Sequence, residues 1–343
     1  MKVVLFLTEQ SHGKEIKEAL EKNGVDVKWI PKINLKAIKW LLLNDYDVIH
    51  SRNYSFDGFI GSIFSFLKRA KLTMIIRGIG EMKFRKERKN LFSRFLTKLF
   101  EFISLRKADH VFFISRDVED YVLEKFPYLE EKSSIMHNGI DIERFGEAEG
   151  IEISEEFSKI EKEDNILITV TNLGWKHPYK AEGVKLIIDS LERVVSKTPD
   201  TKFLVVGGGE LLKECKKHAQ EKEYSDNIIF TGYVDRGEIP PLLKSSDIFV
   251  YSSSVDGYPT VILESKSAGL PIIAGEQAGI PETVGEEGIT VEPKPSKFAD
   301  EIIKMIKNPD KRKEYSEKAL NSTESWGEIT EKYIEEWREL NEE

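Results

Sequence analysis

The sequence predicts an α/β protein of two tandem, doubly wound domains of Rossmann-like type. Short β-branched runs alternate with longer helical patterns along the whole chain. One acidic, polar stretch interrupts that alternation near the middle. A length of 343 residues suits two or three domains at roughly 100–200 residues each.

The first six expected strands are residues 3–7, 25–30, 47–50, 72–77, 110–114 and 133–137. Each is short, mostly apolar and followed by a polar or glycine-containing turn, as a strand buried on both faces of a parallel sheet should be. Helical patterns lie between them. In residues 13–23, for instance, Ile16, Ala19 and Leu20 recur at helical spacing, and Gly24 sits where a glycine C-cap belongs. Residues 147–164 are acidic and polar and read as the inter-domain connection. The alternation restarts with strands at 166–171, 202–206, 227–231, 247–251, 271–274 and 288–291. The expected division is therefore an N-terminal domain at 1–150, a linker at 151–164, a second domain at 165–310 and a helical segment at 311–343. In that last segment Trp326, Ile329, Tyr333 and Trp337 share one face, so it should pack rather than hang free, back toward the N-terminal domain. Ligands of doubly wound sheets bind beyond the carboxyl ends of the strands, which puts the expected site in the cleft between the domains.

Composition excludes several classes. With 40% hydrophobic and 32% charged residues the chain is not predominantly disordered. No apolar run is long enough to span a bilayer, and the N-terminus lacks the apolar length and cleavage site of a signal peptide. Cys215 is the lone cysteine, so no internal disulfide or cysteine–zinc cluster forms, and a reducing cytoplasm is the expected compartment. The net charge of −9 hides an asymmetry: residues 1–150 carry 26 Lys and Arg against 22 Asp and Glu, the remainder 25 against 38. Residues 68–107 alone hold 13 basic and 3 acidic side chains. One basic face on an acidic protein suits an anionic partner and argues against general nucleic-acid binding.

The most informative stretch is residues 251–271, Y-S-S-S-V-D-G-Y-P-T-V-I-L-E-S-K-S-A-G-L-P. A strand ends in serines, Asp256-Gly257-Tyr258 turns, Pro259 fits the first helical position, and a helix over 260–267 closes at Gly269 and Pro271. Asp256 then faces the helix N-terminus, with Glu264 about a turn and a half inside. Free N–H groups and the positive dipole end suit an anionic or polyhydroxylated ligand, and Gly257 leaves it room. Taken by spacing alone, the stretch is equally an ordinary turn with a capping Asp and a solvated Glu.

At these residues the chain resembles glycosyltransferase family 4, the retaining nucleotide-sugar glycosyltransferases of GT-B fold, whose E-x7-E signature runs P-S-x-x-E-G-F-G-x-x-x-x-E-A-M-A-x-G-x-P. Four further places resemble the family in register: Ala108-Asp109-His110-Val111 with Ser115, His137-Asn138-Gly139-Ile140-Asp141 with Arg144-Phe145, Val205-Val206-Gly207-Gly208-Gly209, and Phe230-Thr231-Gly232-Tyr233-Val234. The resemblance covers the chain from about residue 45 onward. It implies a metal-independent hexosyl transfer from a nucleoside-diphosphate sugar to a hydroxyl acceptor, a glycan or lipid-linked, with no separate cofactor. Asp256, one methylene shorter than the usual Glu, and the 257–259 backbone would hold the sugar, and Glu264 the nucleotide side. Asn172 stands where the family has a diphosphate-gripping Arg, which leaves Lys180, or secondarily Lys176, to supply that cation. Gly208 belongs to the glycine loop, and Tyr233 and Val234 to the base-contacting strand end. Arg77 stands where many relatives have a His and would approach the donor from the first domain, its bland alternative being an ion pair to Glu81. The six histidines show no metal-ligand spacing. An epimerase or phosphorylase of the same fold, or a non-catalytic sugar-nucleotide binder, are the alternatives.

Residues 83–107 combine a basic run with Leu91, Phe92, Phe95, Leu96, Leu99, Phe100 and Ile103 on one helical face, flanked by Arg94 and Lys98. Two readings stand side by side: a core helix with solvated lysines, or an interfacial helix that docks on anionic lipid at the cytoplasmic membrane face, extended by Phe56, Phe59, Phe64 and Phe66.

Overall fold

The computed structural model describes residues 1–8, 12–52, 54, 56–78, 91–153, 157, 159–174 and 177–342. It divides into two compact units, Met1–Gly139 with Glu324–Glu343, and Ile140–Thr323.

In the first unit, strands β1 (Lys2–Phe6), β2 (Asp26–Trp29), β3 (Val48–Ser51), β4 (Lys71–Ile76), β5 (His110–Phe113) and β6 (Ser133–Ile135) form one sheet in the order β2-β1-β3-β4-β5-β6, with every pairing parallel. Helices α1 (Gly13–Lys22), α2 (Leu35–Leu43), α3 (Phe56–Lys68), α4 (Leu91–Lys107) and α5 (Arg116–Leu123) connect them. The central strands are mostly apolar because helices cover both faces: Val3, Val4, Leu5, Leu72, Ile75, Val111 and Phe112 are fully buried.

The second unit opens with α6 (Ile142–Gly146) and holds β7 (Asn165–Val170), β8 (Thr201–Val206), β9 (Ile228–Gly232), β10 (Ile248–Tyr251), β11 (Ile272–Gly275) and β12 (Ile289–Val291), again all parallel, in the order β12-β11-β10-β7-β8-β9. Its helices are α7 (Pro178–Lys197), α8 (Leu212–Gln220), α9 (Ile239–Lys244), α10 (Thr260–Ser267), α11 (Ile280–Val284), α12 (Pro295–Ile306) and α13 (Pro309–Leu320). Two apolar clusters lie in this unit, one gathering Ile187, Leu191, Phe203, Val250, Phe298 and Ile302, the other Leu204, Phe249, Ile262, Ile272 and Ile280. Neighbouring strand residues Phe249 and Val250 go to different clusters, as the alternation of side chains across a sheet requires.

The chain divides differently from the sequence expectation. Residues 140–164 are not a free linker. Ile140, Phe145, Ile153 and Ile160 are buried in the second unit's core, an apolar set too widely spaced within an acidic stretch to stand out. The segment expected at 311–343 also splits. Helix α13 stays with the second unit, its Arg312 3.7 Å from Asp247 and its Ser316 hydroxyl donating to the Gly269 carbonyl. Helix α14 (Trp326–Glu342) belongs to the first unit. There the Trp337 indole N–H donates to Thr73 Oγ1 (3.1 Å), which lies 2.9 Å from His50 Nδ1, inside a cluster with Phe112 and Tyr333. Burial, with the Arg77 charge, drives the His50 pKa down to about 3, so the ring stays neutral.

Helix α4 departs from expectation as well. Its apolar residues serve two faces: Phe100 stacks on Phe59 of α3 at 4.5 Å, whereas Phe92, Phe95, Leu99 and Phe102 are exposed. Phe64 is buried and Phe59 engaged in that stack, so neither adds to an outer surface. The basic run 83–89 and Glu81 lie outside the described residues.

Candidate functional site

In the second sheet the strand order reverses direction between β7 and β10, and the carboxyl ends of those two strands carry residues 171–174 and 252–259. In open parallel sheets this is where ligands sit. Three backbone segments are pressed together there. A Cβ on Gly207 would stand 1.9 Å from the Thr171 carbonyl oxygen, and one on Gly209 would stand 2.3 Å from the Leu173 carbonyl carbon. Both glycines have φ in the left-handed region, +131° and +142°. Gly208 accepts from the Leu173 N–H (2.9 Å), and a Cβ on it would meet the Tyr233 nitrogen at 3.0 Å. The glycine run therefore lets three loops converge.

Helix α7 enters from the side. Pro178 fixes its first turn, which places Lys180 at the third helical position. At Gly183 a side chain would reach within 1.9 Å of the Ser252 carbonyl oxygen, so only glycine lets this helix lie against the end of β10. That approach brings Lys180 Nζ to 3.6 Å from Asp256 Oδ2, with both side chains about four-fifths buried (20% and 18% exposed). The sequence placed these two residues in one site, and the fold brings them together.

Asp256 has further partners. The hydroxyl of Tyr251, the last residue of β10, donates to Oδ2, and the Gly279 N–H donates to the main-chain oxygen at 3.1 Å. Burial and then the Asp256 charge raise the phenol pKa values of Tyr251 and of Tyr179, so both remain protonated. The Tyr179 hydroxyl lies 2.7 Å from His177 Nδ1. Tyr179, Glu182, Gly183, Ser252, Ser253 and Gln277 line an adjoining pocket of about 380 Å³, part of it open to solvent.

Gly257 is buried and Tyr258 half-buried against the apolar cluster of Phe249 and Ile262. Pro259 occupies the N-cap of α10 rather than its first helical position, its ψ of 113° being extended. Glu264 is buried, 7% exposed, in the middle of α10. Asn172 is exposed but turns back on its own loop, Oδ1 accepting from the Gly174 N–H (2.9 Å). Val234 packs on the core, while Tyr233 next to it is 81% exposed. Lys176 lies outside the described residues.

Arg77 belongs to the first unit, directly after β4. It donates to Asn138 Oδ1 at 2.8 Å, and burial lowers its pKa. Arg52, after β3, donates to Thr8 Oγ1 at 3.1 Å. Guanidinium groups thus sit at the ends of two neighbouring strands.

Sequence reasoning gave no site role to Tyr251, Tyr179 or Asn138, although Asn138 stands in the quoted 137–141 motif. Tyr251 begins the quoted 251–271 stretch, and a polar tip at the carboxyl end of a buried strand was the available signal. Tyr179 had none beyond its place beside Lys180. Among the described residues no three His, Cys, Asp or Glu side chains gather so as to hold a metal ion.

Comparison with known proteins gives a consistent result. The family model described as glycosyl transferases group 1 matches residues 151–322, and that of glycosyltransferase family 4 matches residues 8–144. An uncharacterized glycosyltransferase of Methanocaldococcus jannaschii is 33% identical over 289 residues, covering 81% of this chain and 70% of that protein. The Escherichia coli enzyme named UDP-Gal:alpha-D-GlcNAc-diphosphoundecaprenol alpha-1,3-galactosyltransferase is 27% identical over 252 residues, 71% of this chain and 62% of its own. Among solved structures, Anabaena HepE in complex with UDP superposes with a TM-score of 0.78 at 17% identity, over 99% of this chain and 100% of that one, which shows the same GT-B fold.

Proposed function

We propose the following reaction for this chain, which belongs to the group 1 glycosyl transferases: it moves a hexosyl unit from a nucleoside-diphosphate sugar to a hydroxyl acceptor, with retention of configuration. The observation that carries the reading is the Lys180–Asp256 pair, held at 3.6 Å beyond the carboxyl ends of β7 and β10. An ammonium and a carboxylate there match the two halves of such a donor. The diphosphate takes the cation, and the sugar hydroxyls donate to the carboxylate. Donor binding then exchanges an internal ion pair for two charge-assisted contacts to ligand, so little uncompensated charge is left in the empty site.

In the chemical step the bond from the anomeric carbon to the phosphate oxygen breaks and the acceptor oxygen bonds on the same face. The departing phosphate oxygen takes the acceptor proton. Charge builds on the leaving diphosphate, and Lys180 with backbone N–H groups meets it, so no metal ion or other cofactor is called on. Glu264 would hold the nucleotide side. Gly208, Tyr233 and Val234 would shape the base end, and Asn172, Gly257, Tyr258 and Pro259 the loops around the sugar.

Uridine diphosphate sugars are the first donors to test, because one relative is named for UDP-galactose and HepE was solved with UDP. Lys180→Ala and Glu264→Ala should each lose most transfer activity while circular dichroism shows both variants still folded. Full activity in both variants refutes this site.

A further inference from the structure

Helices α3 and α4 of the first unit carry apolar residues that their own packing does not use. On α4, Phe92, Phe95, Leu99 and Phe102 recur at intervals of three and four residues, and all are exposed, Phe92 by 70% and Phe95 by 63%. The opposite side of the helix is where Ser104 and Leu105 are buried. On α3, Phe56, Ile63, Phe66 and Leu67 form a second stripe, with Phe66 77% exposed. That helix packs inward through Gly58, Gly61, Ser62, Phe64 and Ser65, so Phe64 is its one buried large side chain and the rest of its inner face is small. Much of its apolar bulk is therefore left on the face turned to water.

The two stripes are neighbours. Phe59 and Phe100 stack between the helices at 4.5 Å, Phe56 lies 6.1 Å from Phe100, and Lys107 of α4 sits 5.8 Å over the Phe66 ring. Isolated exposed apolar side chains are ordinary, but eight on two adjoining helices make a contiguous patch of the kind that marks an interaction surface.

The charge around the patch selects its occupant. Arg106 falls within the α4 stripe, 5.9 Å from the Phe102 ring, and Lys98 and Lys107 flank it. Among the described residues Lys98 and Arg94 have no ion-pair partner. Over α3, α4 and the residue after α3 the basic side chains are Lys68, Arg69, Arg94, Lys98, Arg106 and Lys107, against the acidic Asp57 and Glu101. Aromatic rings interleaved with cations on one face suit the interface of an anionic bilayer, where rings settle at headgroup depth and each nearby cation adds attraction to acidic lipid. We propose that the α3–α4 face docks this protein on an anionic lipid membrane. The proposal does not rest on the donor reading, since vesicle binding requires no donor.

The test is co-sedimentation of the full chain with phosphatidylglycerol–phosphatidylcholine vesicles and with pure phosphatidylcholine vesicles, at low and high salt. Wild type should bind the anionic vesicles, bind pure phosphatidylcholine far less, and lose affinity as salt rises. The double variant Phe66→Glu/Phe95→Glu should bind at least tenfold more weakly, with an unchanged unfolding midpoint and unchanged UDP affinity, because both side chains are already in water. Lys98→Glu with Arg106→Glu should weaken binding severalfold and flatten the salt dependence. Absence of wild-type binding at low salt, or undiminished binding by the Phe double variant, overturns the proposal. So does light scattering that shows a wild-type dimer broken by the same variant without any vesicle binding, which would assign the patch to a second copy of the chain.

Discussion

Gly183→Ala tests the link between fold and site most sharply, because sequence and tertiary structure predict opposite signs for it. In a helix interior, Gly→Ala normally stabilises by about 1 kcal/mol. Here the new methyl group would stand 1.9 Å from the Ser252 carbonyl oxygen and 2.7 Å from its carbon, where 3.0 Å is the practical floor. Either α7 or the end of β10 must therefore retreat by about 1.1 Å, the difference between those two distances. Neither can do so freely, since Val184, Ile187 and Ile188 on α7 and Val250 on β10 are at most 2% exposed in one cluster. A backbone clash this deep belongs at the upper end of the roughly 1–3 kcal/mol that overpacking typically costs, so after the propensity gain of about 1 kcal/mol the net loss should be about 2 kcal/mol. For a unit of this size each kcal/mol moves the midpoint by roughly 2–4 °C. The same retreat carries Lys180 away from Asp256, now 3.6 Å apart, and so should weaken UDP binding as well. Thermal unfolding and UDP calorimetry on the one variant measure both effects. An unchanged or raised midpoint with wild-type UDP affinity would refute the reasoning.

Other outcomes follow from single contacts. Tyr251→Phe removes only the hydroxyl that donates to Asp256, in a residue 2% exposed, and should cost about 1–2 kcal/mol together with most of the donor affinity, read by denaturant unfolding and calorimetry. Combined with Asp256→Asn it should cost less than the sum of the two single changes, because both alter one interaction; strict additivity would separate them. His50 has a folded pKa of about 3, far below its unfolded value near 6.5, so the unfolded state binds the extra proton first. Its contribution is intact above pH 6.5 and drains away as pH falls toward 3. Wild type should lose about 3 kcal/mol more than His50→Asn between pH 7 and pH 4, and parallel stability curves for the two proteins would contradict the buried neutral ring. Trp337→Phe deletes the indole donor to Thr73 and opens space in a fully buried position, so it should destabilise the first unit by about 2–3 kcal/mol and speed amide exchange in α14.

The sequence by itself determined the twelve strands and the helices between them. A parallel strand covered on both faces must be apolar at consecutive positions, and a short apolar run followed by a polar turn leaves few alternatives. It also marked the loops that meet beyond β7 and β10, because the turn at Asp256 and the glycine run at 207–209 carry backbone demands that a one-dimensional pattern records. The unit boundary was not legible. Ile140, Ile153 and Ile160 reach the second core one at a time from an acidic stretch, and burial at wide spacing has no period. The partition of α13 and α14 between two units was equally hidden, since both are charged amphipathic helices and only the contacts of Ser316 and Trp337 tell them apart. The sequence put Lys180 and Asp256 in one site, but their direct pairing was decided by the missing side chain at Gly183, a close approach that exists only once α7 and β10 are folded against each other. On α4 the pattern showed an apolar helix, and the fold decided which residues it spent on α3 and which it left facing water, because exposure depends on neighbours distant in the chain.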